Sequence, residues 1–416
     1  MSDLSHGHVN ETISIPEIRL GPKAASIERI SGVVGALGLI LCVAGYFANR
    51  AQFFQSYLFA YIYWSGFGFG GLGVLLINNT VGGRWGVTAR RFLEAAMRTL
   101  PLIFIFTLIL LLGMKELYPW THSDIVANDA VLRHKQPYLN VPFFIGRMIL
   151  YFALLALWGW RINKWSDEQD RTGDPTLPER MRSFSAPGVL VFTMVMTFAY
   201  IDWILSTDTQ FFSTVYGAMI LIGDILQTFA LVILAMIFAS KEDRFGGRIN
   251  AKVLHDLGNM MFAFTIFWTY LTASQLIIVW PANLPQELVW YLDRVAGPWK
   301  WFALVTALSM FAIPFLALLS QARKRDPRRL MKVCIWLLAA RAIDLFWIVA
   351  PTFRNASHSN PLHTAGGFTI YWTDFAAFIG LGGIWIYVFL GQLRRRPLLP
   401  LRDPRVSPPI PEAAVL

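Results

Sequence analysis

Residues 216–239 read YGAMILIGDILQTFALVILAMIFA, twenty-four positions with a single charged side chain, Asp224. A helix rises about 1.5 Å per residue, so this stretch is long enough to cross the roughly 30 Å hydrocarbon core of a bilayer. In lipid every backbone N–H and C=O must be satisfied within the segment, which makes the stretch a helix. Extending the span to Phe212–Ala239, nine more stretches of the same kind follow by the same reasoning. They are Ile27–Phe47, Phe53–Asn78, Val87–Met114, Val141–Trp160, Ser185–Leu205, Val253–Val279, Trp299–Leu319, Leu330–Ala350 and Gly367–Gly391. The expected fold is an all-α polytopic integral membrane protein with ten transmembrane helices.

Composition agrees. Hydrophobic residues make up 55% of the 416 positions, and the mean hydropathy is +0.48. The spans occupy residues 27–392, so no soluble domain of any size remains. Residues 1–26 and 393–416 are polar or Pro/Arg-rich tails with the composition of disordered chain. The net charge of +10 would suit nucleic acid, but its placement sets orientation instead. With the N-terminus on one side, 26 of the 36 Lys and Arg fall on that side and 7 on the other. The positive-inside rule then puts both termini in the cytoplasm and the short 206–211 turn outside. No secretory signal is visible. Cys42 and Cys334 both lie in apolar spans, which excludes a disulfide framework and a cysteine metal motif.

Short matches suggest an internal repeat. Phe53-Phe54-Gln55-Ser56 opens the second span and Phe211-Phe212-Ser213-Thr214 the sixth. Ile201-Asp202-Trp203-Ile204 resembles the stretch from Ile343 and Asp344 to Ile348. Both imply a shift of four helices, giving two four-helix bundles (spans two to five and six to nine) plus two flanking helices. Gly66-Phe-Gly68-Phe-Gly70-Gly71 satisfies the dinucleotide fingerprint formally, yet it lies inside an apolar helix where small residues serve close packing.

Electron transfer through this chain would need ligands it lacks. A membrane haem calls for paired histidines at depth, and His255 alone opens a span. His6, His8, His122, His134, His358 and His363 sit in tails or loops. No metal site is expected.

The remaining signal is polar residues inside the spans, which are costly in lipid and therefore pair or line water. Glu94, Arg98, His255, Asp256 and Asn259 fall in the cytoplasmic half, with Asp224 and Gln227 near mid-depth. Asp202, Arg147, Arg341, Asp344 and Asp374 form an outer set, Arg341 being nearest the centre. Spacing pairs Glu94 with Arg98 (i,i+4) and Arg341 with Asp344 (i,i+3), either as neutralised structural bridges or as parts of a pathway. Asp224 has no ionic partner on its own helix and is the candidate protonatable group. Glu94, His255, Asp256, Asn259, Asp224 and Gln227 therefore make a hypothetical proton path. Trp203, Trp268, Trp280 and Trp347 are candidates for a quinone slot or for ordinary packing.

Longer segments carry a family resemblance. They are Ser185-Ala-Pro-Gly188, Phe198 to Ser206, Phe211 to Gly217, His255 to Gly258, Phe262 to Tyr270, Ser274-Gln275, Trp280 to Glu287 and Ala342 to Pro351. Together they resemble the ActF-type, NrfD-like membrane subunits of bacterial alternative complex III, a quinol:cytochrome c oxidoreductase. The resemblance covers residues 27–392 and is concentrated in 183–351. It implies a subunit of the bacterial inner membrane paired with a homologous NrfD-like subunit. Periplasmic multihaem cytochrome c and iron–sulfur subunits would carry the redox centres. It also implies quinone or menaquinone in the complex, no cofactor bound by this chain, and no turnover in isolation. It maps no quinone ligand onto a residue here. The alternatives are a secondary transporter using the same buried acids, and a purely structural anchor.

Overall fold

The chain folds as the apolar periods require. A computed structural model describes residues 18–241, 249–282, 285–355, 362, 368–400, 402 and 403. Among these residues there is no strand, and ten helices are long and apolar enough to cross a membrane. In order the spans are Pro22–Ala48, Arg50–Val81, Trp85–Leu112, Val141–Thr172, Leu177–Thr207, Tyr216–Ser240, Ala251–Ala282, Trp299–Leu319, Pro327–Arg354 and Trp372–Arg394. The protein is an all-α, multi-pass membrane protein. His6, His8, His358 and His363 and most of both tails lie outside the described residues.

Punctuation residues set the ends. Asn49 alone joins the first two spans, its side chain accepting from the Gln52 N–H at 3.1 Å. Gly82 (φ +78°) and Gly83 (φ +125°) turn the chain after the second span in conformations that side-chain-bearing residues avoid. Asn140 and Asp326 cap the fourth and ninth spans.

Two spans are interrupted where proline withholds an N–H. The third breaks at Arg98–Thr99, just before Pro101. The eighth passes through a π-turn at Leu308–Ala312, just before Pro314. Trp336 donates to the Ser309 carbonyl in that shifted turn, at 3.1 Å.

The second and sixth spans are the most buried and pack on each other at the centre. The third and fifth spans pack on the second, and the fourth on the fifth. The seventh and ninth pack on the sixth, with the eighth against both of them. The first span lies on the tenth, and the tenth on the second. The arrangement is two bundles and a flanking pair. Large apolar side chains such as Ile30, Leu190, Tyr270 and Leu316 point outward, as expected where lipid is the solvent.

The glycine-rich run in the second span packs closely on three neighbours. A Cβ on Gly70 would lie 2.6 Å from the Asp224 carbonyl, one on Gly68 2.3 Å from Ile103, and one on Gly73 2.7 Å from Phe192. The fingerprint is a packing surface, as its apolar setting suggested.

Ten crossings return the chain to the face where it began. Arg394 meets Glu28 at 2.5 Å, and the Leu398 N–H donates to the Ile18 carbonyl at 2.7 Å. Leu398, Leu399 and Asp403 are buried, so this part of the tail is packed against the helices. The face carrying the ends is called the terminal face below, and its opposite the far face.

Candidate functional site

Asp224 sits eight residues into the sixth span, about 12 Å from its far-face end. Gly66 faces it from the second span: a Cβ there would lie 2.6 Å from the Asp224 carboxylate and 2.2 Å from the Gln227 amide. The missing side chain is what lets both polar groups fit the crossing. Gly223 does the same for Arg341, whose guanidinium carbon would lie 2.3 Å from a Cβ.

Arg341 reaches across from the ninth span. It donates to Asp224 at 3.1 Å and to the Ile220 carbonyl at 2.9 Å, and it also pairs with Asp344 on its own helix. Tyr200 of the fifth span donates its hydroxyl to the other Asp224 oxygen. All four side chains are at most 2% exposed. Within hydrogen-bonding distance, two carboxylates thus share one guanidinium. With both ionised, the group carries one negative charge more than its positive charge, deep in a low-dielectric interior. Asp224 and Asp344 meet no other cation at salt-bridge distance among the described residues.

Asp202 and Asp374, by contrast, are each matched by one arginine. Asp202 accepts from Arg147 Nε at 2.8 Å and Nη2 at 2.9 Å, and from Tyr151 at 2.8 Å. Asp374 accepts from Arg354 at 2.6 and 2.8 Å and from Ser56 at 2.6 Å. The five residues read from sequence as one outer cluster therefore belong to three separate sites. The pairing depends on which helices adjoin, and spacing along one helix cannot show that.

Glu94 also differs from expectation. Its partners are Arg90 (2.9 Å), Arg91 (2.6 Å) and Ser166 (2.6 Å), not Arg98. Side chains tilt toward the helix N-terminus, so Glu94 reaches back one turn. Arg98, at the helix break, turns instead to Asn163 (2.8 Å) and Asp167 (3.3 Å). Asp170 pairs with Arg91, Asp403 with Arg90 at 3.1 Å, and Arg396 with Asp167. Four arginines here meet four carboxylates. Asp403→Ala should uncover the buried Arg90 and cost about 1–3 kcal/mol, visible as a lower unfolding temperature in detergent.

His255, Asp256 and Asn259 come together at the terminal end of the seventh span. His255 Nδ1 lies 3.7 Å from Asp256 and 3.4 Å from the Asn259 amide, and Lys324 donates to Asn259 at 2.6 Å. No hydrogen bond or ion pair among the described residues links this group, the Glu94 network and the Asp224 site. The six residues of the hypothetical path thus fall into three places.

The four tryptophans do not form one slot. Trp203 is fully buried and stacked on Phe69, Trp280 is 58% exposed, and Trp347 donates to the Arg294 carbonyl at 3.0 Å. No quinone step is built on them. Among the described residues no three His, Cys, Asp or Glu side chains are grouped to hold a metal ion.

Sequence reasoning missed Tyr200, Arg90, Arg91, Arg294 and Arg354 as site residues. Arg354 reads as a loop cation about one turn beyond the expected span, yet it is buried within the ninth helix. Arg294 is equally buried, and its hydrogen bonds go to neutral groups: the Trp290 and Ile348 carbonyls and the Thr352 hydroxyl. Neither a family-model scan nor a search of curated proteins returns a match for this chain.

Proposed function

We propose that this chain is an integral membrane subunit of a quinol:cytochrome c oxidoreductase of the alternative complex III type. In this reading it is a scaffold beside a homologous quinol-oxidising subunit, and it holds a proton half-channel. Redox centres belong to periplasmic multihaem and iron–sulfur partners, and the membrane is the bacterial inner membrane with both termini in the cytoplasm. The resemblance of residues 183–351 supports the complex.

The observation that carries the half-channel is the charge count at Asp224. A buried pair of acids on one arginine holds one exchangeable proton at little electrostatic cost, because protonating either acid neutralises the group. The matched sites at Glu94, Asp202 and Asp374 have no such surplus. Tyr200, bonded to Asp224, supplies a hydroxyl along which that proton can move.

The test is Asp224→Asn in the assembled complex. Quinol-driven acidification should be lost while cytochrome reduction and subunit composition persist. Unchanged proton translocation would remove the site from the mechanism, and purification without multihaem and iron–sulfur partners would remove the complex. A transporter reading expects helix breaks at corresponding places in the two bundles. The breaks fall in the third and eighth spans, the second helix of one bundle and the third of the other, so they do not correspond.

A further inference from the structure

Between the third and fourth spans a crevice of about 660 Å³ runs from the membrane interior to the terminal face. Its inner part is apolar, lined by Phe104, Ile149 and Ala156. Its mouth is polar, lined by Arg98, Asn163, Asp167 and Arg396. Trp160 lines it too and is 59% exposed, at the level where indole rings favour the membrane–water interface. The crevice is therefore graded as a membrane lipid is, with a chain end and a head end.

The mouth itself carries two guanidiniums to one carboxylate, the acids that balance the wider network (Glu94, Asp170 and Asp403) lying outside its lining. Asp167 is the one carboxylate there, and both guanidiniums bond to it, Arg98 at 3.3 Å and Arg396 at 2.5 Å through Nη2. Arg98 uses Nε and Nη2, and Arg396 uses Nη1 and Nη2. Arg98 Nη1 and Arg396 Nε are left to bond something else. Burial, and then the like charge of Arg98, pull the Arg396 guanidinium down to about 10. Two adjacent cations on one acid are the electrostatic complement of a monoanionic phosphodiester.

We infer that this crevice binds an anionic membrane phospholipid, one acyl chain lying along Phe104 and Ile149 and the phosphodiester on Arg98 and Arg396. The site is independent of the proton reading, and it ties the broken end of the third span to the lipid surface.

The test uses the full chain in nanodiscs of phosphatidylcholine with a minority of phosphatidylglycerol, counting retained lipids by native mass spectrometry after mild-detergent extraction. Each basic residue near an anionic head contributes about fivefold, so retained phosphatidylglycerol should exceed its bulk share about fivefold or more. Arg396→Gln should reduce that enrichment about fivefold while total retained lipid stays constant. Ala156→Phe, which fills the apolar part, should release lipid of either head. Inorganic phosphate should not displace it. Equal retention of both lipids, enrichment unchanged in both variants, or displacement by phosphate alone would each overturn the inference.

Discussion

Arg341→Met is expected to lower the stability of the folded bundle by about 3–5 kcal/mol, the usual cost of removing one partner from a buried ionic group. That is about a fifth or more of the stability of an ordinary domain. The guanidinium is 1% exposed and, among the described residues, is the sole cation at salt-bridge distance from Asp224 and Asp344. Its loss leaves two carboxylates in a dry interior and removes the extra donor to the Ile220 carbonyl. The informative comparison is the triple variant Arg341→Met with Asp224→Asn and Asp344→Asn. Replacing a whole buried ionic group by neutral side chains is often close to neutral for stability, so most of the deficit should return. Unfolding titrations in mixed micelles measure both. If Arg341→Met is as stable as the parent, the shared-guanidinium geometry is wrong.

Gly38→Leu should detach the first span. A Cβ at Gly38 would lie 2.5 Å from the Gly380 Cα, and one at Gly35 2.5 Å from the Ile384 backbone N. Gly383 returns the contact, with a Cβ 2.5 Å from the Gly35 Cα. These are backbone-on-backbone contacts, so no rotamer change relieves them. The buried residues of the first span are all small, so its packing on the tenth rests on this glycine face. Overpacking a tight contact commonly costs about 1–3 kcal/mol, and here the bundle can avoid the clash only by separating. Protease cleavage at the Asn49–Arg50 link should accelerate strongly, with the other nine spans intact. Gly146→Leu, at a position where a Cβ meets nothing within 4 Å, is the control and should behave as the parent. Equal protection of Gly38→Leu and the control would contradict the crossing.

The fold was legible because hydrocarbon imposes one rule on every span, and each expected segment overlaps an observed helix. Both interruptions also left a trace in Pro101 and Pro314. The sites were legible only in part. The i,i+4 rule gave Glu94 two directions, and spacing alone could not choose Arg90 over Arg98. Asp224 stood out correctly as lacking a partner on its own helix, but nothing in its surroundings pointed to Arg341, which is 117 positions away. Arg354 was masked by lying past the last apolar run, although its helix continues to pair it with Asp374. Pairings between helices follow from the order of helices around the bundle, and a single sequence does not encode that order locally.

The glycine contact between the outermost spans has a consequence for biogenesis. The first span is made long before the tenth, against which its glycine face packs. At about 5–20 residues per second, the 342 positions from Gly38 to Gly380 take roughly 20–70 s to make. For that interval the leading helix waits in the membrane with its notched side open to lipid or to a chaperone. This contact therefore forms late, and a nascent chain truncated before the tenth helix should leave the glycine face of the first span uncovered.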